Sequence, residues 1–183
     1  MKLILLDRDG VINEDSDDYI KSPDEWQPIP GSLEAIARLN QADYRVIVVS
    51  NQSGVARGLF TCEVLNQIHE KMHRMLAEVG GTIDAVFFCP HKPEDNCNCR
   101  KPKTGLYEDV ARRLNITLEG VPAVGDSLRD IQAAQAVGAS PWLVRTGKGI
   151  RTVQAANNEL AGVPVFADLA AVVDELITNA EQQ

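Results

Sequence analysis

With 183 residues, 44% of them hydrophobic and 5% aromatic, the chain has the length and composition of one domain, 1–183, with a sizeable core. A formal net charge of -8 argues against nonspecific nucleic-acid binding but leaves a phosphorylated ligand open to local cations or a metal. No apolar stretch approaches the ~20 residues of a membrane span, and the N-terminus lacks a signal-peptide pattern, so the expected setting is the cytoplasm, away from membranes.

Leu3 to Leu6 form an apolar run that stops at Asp7-Arg8-Asp9-Gly10. Such a run reads as a buried strand that delivers Asp7 to its C-terminal end, where ligands bind in open α/β sheets. Asp9 follows two positions later, and Gly10 permits a sharp turn. Two carboxylates brought together repel unless neutralised, and Mg²⁺ suits one or two carboxylates plus phosphate oxygens. Elsewhere in a chain, the same four residues would read as a solvated surface turn.

Residues 10–31 lack periodicity and carry three prolines, so they read as a long, functional loop. The Asp15-Ser16-Asp17-Asp18 run within it is either a solvated acidic turn or a set of acceptors for sugar or amine groups. Ser32 to Asn40 reads as a helix capped by Ser32, and Arg45 to Ser50 as a second, β-branched strand. Thr61 to Val79 has the spacing of an amphipathic helix, with Cys62 a bystander at its start. Strands follow at 85–89, 122–125 and 142–145, helices at 106–114 and 128–137, and a final strand and helix beyond residue 163. The alternation predicts parallel β-α-β units and a doubly wound α/β sheet. Asp7, Ser50, Cys89 and Asp126 then converge on one sheet edge.

Ser50 to Ser53 offer a hydroxyl and backbone N–H groups able to cradle a phosphate oxygen, or an ST-turn that ends the strand. Arg100-Lys101-Pro102-Lys103 supplies cations on a loop, and a lysine near paired aspartates could neutralise phosphoryl charge. Asp126 could complete a Mg²⁺ shell, whereas Asp130, near the helix start, reads as an acid favouring the helix dipole. Cys89, His91, Cys97 and Cys99 form C-x-H-x₅-C-x-C, four N/S ligands suited to a closed, structural Zn²⁺ site bracing Arg100 and Lys101. Free thiols with a surface histidine are the plainer reading of the same loop.

In order and spacing, D-x-D-G, S-N, R-K-P and G-D-x-x-x-D resemble the haloacid-dehalogenase-type phosphatases over residues 3–145. The resemblance implies a Rossmann-like core without a large cap, Asp7 as nucleophile and Asp9 as general acid and base with a pKa above the ordinary carboxylate value. It also implies Mg²⁺ on Asp7, Asp126 and the Asp9 carbonyl, with Ser50 and Lys101 holding the transferred phosphoryl group. The zinc clasp narrows the family to the branch containing histidinol-phosphatases and heptose-bisphosphate phosphatases. Asn51-Gln52-Ser53-Gly54 resembles the latter, since histidinol-phosphatases tend to carry N-Q-D-G. The implied substrate is therefore a small phosphorylated sugar, a heptose 1,7-bisphosphate losing its 7-phosphate on the route to lipopolysaccharide core, with a monomeric enzyme. Ser50, Asn51, Gln52, Ser53, Arg100 and Lys101 would bind it, with Asp15 and Asp18 on sugar hydroxyls.

Three other readings compete. Histidinol phosphate is an alternative substrate, and a non-catalytic zinc-binding interaction module an alternative class. His69-Glu70-Lys71-Met72-His73 matches the metalloprotease pattern H-E-x-x-H, but no third ligand is identifiable, and the pair reads as a solvated helix face. Thr146-Gly147-Lys148-Gly149 lacks the P-loop frame and reads as a loop.

Overall fold

A computed structural model describes residues 2–181. Six strands form one parallel sheet: β1 (Lys2–Leu6), β2 (Tyr44–Asn51), β3 (Ala85–Cys89), β4 (Pro122–Gly125), β5 (Ser140–Val144) and β6 (Val165–Phe166). Their order is β3-β2-β1-β4-β5-β6. The helices are α1 (Ser32–Gln41), α2 (Cys62–Glu78), α3 (Gly105–Leu114), α4 (Leu128–Ala136), α5 (Gly149–Ala155) and α6 (Leu169–Glu181). This is the expected doubly wound α/β sheet.

The strands are apolar along their length because the sheet is covered on both faces. Ile4 and Leu6 of β1, with Val46 and Val48 of β2, pack under α1, α2 and α6. Leu3 and Leu5, with Ile47 and Val49, face α3 and α4. Alternate residues of one strand thus feed opposite cores. On α2, Ile68, Met72 and Leu76 are fully buried, each side chain contributing about 1.5–3 kcal/mol by leaving water.

The start of α1 departs from the expected cap. Gly31, in the left-handed region at φ +83°, is the N-cap. Ser32 is already helical, and its Oγ donates to the Ile12 carbonyl, 2.6 Å away. The hydroxyl ties the long loop to the helix instead of capping it. After β5, residues 146–148 form the expected loop, but Gly149 already opens a helix, α5. No described helix is long and apolar enough to cross a membrane.

In this strand order the winding reverses between β1 and β4, which opens a crevice beyond their C-terminal ends. Asp7 leaves β1 there, its N–H donating to the Val124 carbonyl at 2.9 Å, and Asp126 follows β4.

Candidate active site

A cavity of about 400 Å³ occupies that crevice. Asp7, Asp9, Lys101 and Asp126 line its floor, and Asn51, Gln52 and Ser53 line the wall beyond β2. Carboxylate oxygens of Asp7, Asp126 and Asp130 lie within 4.8 Å of one another.

Asp126 is pinned from three sides. Gly10, at φ +82°, passes so close that a Cβ there would sit 2.0 Å from Asp126 Oδ2. A Cβ on Gly147 would lie 2.2 Å from the same oxygen and 2.4 Å from Gly10 Cα. The Lys148 N–H donates to Asp126 Oδ2 at 2.7 Å, and Thr146 Oγ1 donates to the Gly10 carbonyl at 2.6 Å. The glycine-rich 146–149 turn is therefore part of the site, which its sequence did not signal.

Burial pushes Asp126 up to about 8, with Asp130 and Asp7 adding repulsion. Burial likewise raises Asp7 to about 7 although Lys101 opposes it. Two buried carboxylates with elevated pKa values facing one space are a donor set that fits a hard divalent cation.

Lys101 is buried, with Nζ 2.7 Å from Asp130 and 3.2 Å from Asp7. Its Nζ also donates to the Val49 carbonyl at 2.6 Å. Burial alone would lower its pKa, but Asp130 and Asp7 together raise it, so it stays an ammonium. Asp130 is more than a helix-dipole residue: it is buried, ion-paired to Lys101, and accepts from both Ser127 N and Ser127 Oγ. The bond from the Ser127 N–H is one half of the α4 capping box, which gives Ser127 a structural role.

Asn51 holds Lys101 by its backbone. Its Oδ1 accepts from Lys101 N at 3.0 Å, and its Nδ2 donates to the Lys101 carbonyl at 3.1 Å. Gln52 Nε2 bridges Ser50 Oγ at 2.9 Å and Asp9 Oδ2 at 2.8 Å. Ser50 lies buried beneath this amide, not on the cavity wall, and its hydroxyl proton remains to be donated.

Asp9 departs from expectation. Burial raises its pKa, but the Arg8 guanidinium and hydrogen bonds from Asn13, Gln52 and Arg8 outweigh burial and hold it below the ordinary carboxylate value. Asn13 Nδ2 and Arg8 Nε donate to Oδ1 at 2.9 and 3.0 Å. The resting carboxylate is therefore ionised, against the elevated pKa that its assigned role suggested. Arg8 and Asn13, both fully buried, were missed: each looks like an ordinary polar residue of a turn.

At the rim, Asp15 lies in the cavity wall, bound by Lys148 Nζ at 2.7 Å. Asp18 is exposed and not among the lining residues, where Ser16 and Asp17 stand instead. Arg57, Arg100 and Arg129 also line the cavity. Burial lowers the pKa of Arg100, and the neighbouring guanidiniums of Arg129 and Arg57 lower it further.

The four expected zinc ligands converge. Cys89 Sγ lies 3.6 Å from His91 Nδ1 and from Cys97 Sγ, and 3.2 Å from Cys99 Sγ. His91 Nδ1 to Cys99 Sγ is 3.3 Å, and Cys97 to Cys99 is 3.5 Å. These separations exclude a disulfide, whose sulfurs stand about 2.05 Å apart. They approximate the edges, roughly 3.5–3.8 Å, of a tetrahedron built on Zn–S and Zn–N bonds of about 2.3 and 2.0 Å. Arg100 Nη1 donates to the His91 carbonyl at 3.3 Å and Lys103 Nζ to the Cys97 carbonyl at 2.8 Å, so the basic segment is fastened to this loop. His69 is not the solvated residue expected of a helix face. It is 8% exposed, and its Nε2 meets Arg8 Nη1 at 3.2 Å, which leaves no metal-binding pair with exposed His73.

Comparison with known proteins agrees with this geometry. A HAD-hydrolase-like family model matches residues 98–172. D-glycero-β-D-manno-heptose-1,7-bisphosphate 7-phosphatase of Bordetella bronchiseptica is 59% identical over 98% of the chain and 100% of the relative. The protein of the same name from Pseudomonas aeruginosa is 50% identical over 96% and 97%. A crystal structure of the B. bronchiseptica D,D-heptose 1,7-bisphosphate phosphatase, complexed with magnesium and phosphate, superposes with a TM-score of 0.95 over 98% of this chain and 99% of that one.

Proposed function

The chain belongs to the haloacid-dehalogenase-like family of heptose-bisphosphate 7-phosphatases, and from that membership we propose that it hydrolyses the 7-phosphate of D-glycero-β-D-manno-heptose 1,7-bisphosphate with Mg²⁺. The observation that carries the proposal is the meeting of Asp7, Lys101 and Asp126 at the β1–β4 crevice. Mg²⁺ would be held by the Asp7 and Asp126 carboxylates and the Asp9 carbonyl. When bound, it neutralises these acids and the incoming phosphoryl oxygens.

An Asp7 oxygen attacks phosphorus, and the bond from phosphorus to the sugar oxygen breaks. Lys101 would hold the transferred group, fixed in place by Asn51 and Asp130, and the Ser50 hydroxyl would join it once the Gln52 amide that covers it turns aside. Asp9 protonates the departing sugar oxygen, then takes a proton from the water that cleaves the aspartyl-phosphate. Its low resting pKa is compatible with this role, because a phosphate dianion entering beside it raises that pKa through like-charge repulsion.

Arg57, Arg100 and Arg129 favour a substrate carrying a second phosphate. The cavity's acids at Asp15 and Asp17 are already paired with Lys148 and Arg151, while Arg57 and Arg129 have no ion-pair partner among the described residues. Histidinol phosphate would set an ammonium among these cations. The zinc clasp would order the segment bearing Arg100 and Lys101. The protein would act as a single domain, 1–183, and as a cytoplasmic monomer in lipopolysaccharide-core biosynthesis. Asp18, exposed and outside the cavity lining, would reach a sugar hydroxyl only from beyond the rim.

The test is a parallel measurement of kcat/KM for heptose 1,7-bisphosphate, fructose bisphosphate and histidinol phosphate with Mg²⁺. A clear preference for the heptose is expected; a preference for histidinol phosphate would overturn the substrate assignment.

A further inference from the structure

We propose that His69 is a positioning residue for Asp9, acting through the buried guanidinium of Arg8. The inference rests on the proton-transfer role given to Asp9 above. Arg8 is fully buried, and its fork has two ends. Nε and Nη2 donate to Asp9 Oδ1 at 3.0 and 2.9 Å, and Nη1 points away from Asp9 to His69 Nε2 at 3.2 Å.

A guanidinium carries donors only, so His69 Nε2 must accept. That requirement fixes the neutral tautomer with its proton on Nδ1. The ring is itself held by α2, between Ile68 and Met72 in the core, and by an edge contact to Phe88 with centroids 6.2 Å apart. Imidazole and carboxylate thus grip opposite ends of one planar cation. Remove the acceptor and a buried Arg8 N–H is left unsatisfied, which costs about 1–3 kcal/mol where it stands. The fork can recover that loss by rotating, and any rotation swings its other end off Asp9. A proton-transfer group needs placement to about 0.5 Å, so the lost orientation appears in the step where Asp9 gives its proton.

Leaving-group chemistry separates positioning from general support. A sugar alkoxide needs a proton to depart, whereas p-nitrophenolate leaves without one. The experiment compares wild type, Asp9→Asn, His69→Leu and His69→Gln, with KM and the single-turnover rate of leaving-group release for heptose 1,7-bisphosphate and for p-nitrophenyl phosphate, a rate that precedes the water step common to both substrates. His69→Leu should lose about 10- to 100-fold in that release rate on the sugar phosphate, part of the 10²–10⁴ that general acid–base catalysis supplies, with KM nearly unchanged. On the aryl ester it should lose under about threefold by the same reasoning. His69→Gln places an amide oxygen where Nε2 accepts, and should recover most of the rate. Equal losses on both substrates, or no loss on either, would overturn the proposal. So would failure of His69→Gln to recover activity while His69→Leu keeps the wild-type melting temperature. If Asp9→Asn itself lacks the leaving-group dependence, the reading of Asp9 falls, and this one with it. If Asp9→Asn has it and His69→Leu does not, the positioning role alone is wrong.

Discussion

Asp130 holds Lys101 at 2.7 Å, closer than Asp7 does at 3.2 Å, so the site's buried ammonium is anchored by an acid one helical turn beyond Asp126. The anchor keeps Lys101 from collapsing wholly onto Asp7, whose oxygens the reaction needs.

Asp130→Ala removes that anchor and the α4 capping box together. Breaking a buried pair costs about 3–5 kcal/mol, less here because Asp7 remains as a partner, so about 3 kcal/mol is expected. The kcat should fall as well, because Lys101 then pairs with Asp7. Denaturant unfolding and steady-state kinetics measure both. A stability loss below about 1 kcal/mol would mean that Asp7 alone balances the lysine.

Asp7→Asn should reduce phosphatase turnover by about 10⁴-fold or more, since the amide is no nucleophile. The fold should survive, because removing one buried carboxylate relieves the repulsion that raises Asp126. Retained turnover in protein shown by mass spectrometry to be free of deamidation would reject the assignment.

Metal binding should depend on pH in a definite direction. Without metal, Asp7 and Asp126 are raised to about 7 and about 8, while the unfolded chain ionises both near its ordinary carboxylate value of about 4. Between those values the folded state binds more protons than the unfolded, so metal-free stability falls as pH rises. Mg²⁺ engages the ionised pair. Its addition should raise the melting temperature little near about pH 5 and much more near about pH 8. Equal shifts at the two pH values would place the cation away from these acids.

The legible parts of this molecule are those written locally. An apolar strand that stops at Asp7, or a valine and glycine before Asp126, announces a carboxylate at a sheet edge in a few residues. The zinc ligands are likewise confined to 89–99. What could not be read are pairings between distant segments. Thr146 reaches back 136 residues to Gly10, and His69 lies 61 residues from Arg8. Neither contact leaves a periodicity. The H-E-x-x-H pattern even pointed away from the observed role, because helical spacing does not tell which histidine faces the core. Asp130 is a further case: its place at the start of α4 suggests only a helix-dipole role, but its partner Lys101 comes from another loop.

The zinc clasp should govern the basic loop. Cys97→Ser or a strong chelator should release the metal and lower the melting temperature by several degrees. Structural zinc contributes on the order of 10 kcal/mol in small peptides, but here Cys97 and Cys99 also pack against the α3–α4 core, which limits the loss. The KM for the bisphosphate should rise more than kcat falls, since Arg100 is tied to the loop at the His91 carbonyl. Metal analysis of untreated protein should find one equivalent of zinc. Less than that in stable, folded protein would count against the site.

His69 supplies a second pH dependence, of opposite sign to that of the metal-free acids. Burial first, then Arg8 and His73, lower its pKa from 6.5 to about 4. Below about pH 6.5 the unfolded chain takes up a proton that the folded one refuses, so stability present at neutral pH is lost as pH falls towards about 4. The full window corresponds to at most about 3 kcal/mol for a side chain this well buried. Other carboxylates titrate nearby, so the readout is a difference between proteins. His69→Gln keeps an acceptor for Arg8 and has nothing to protonate. Urea unfolding of both at several pH values should give stability curves that run parallel above about pH 7 and diverge below about 6, with wild type falling faster. Curves that stay parallel down to about pH 4 would mean that His69 titrates alike in both states, and that its ring is not locked as the acceptor of Arg8.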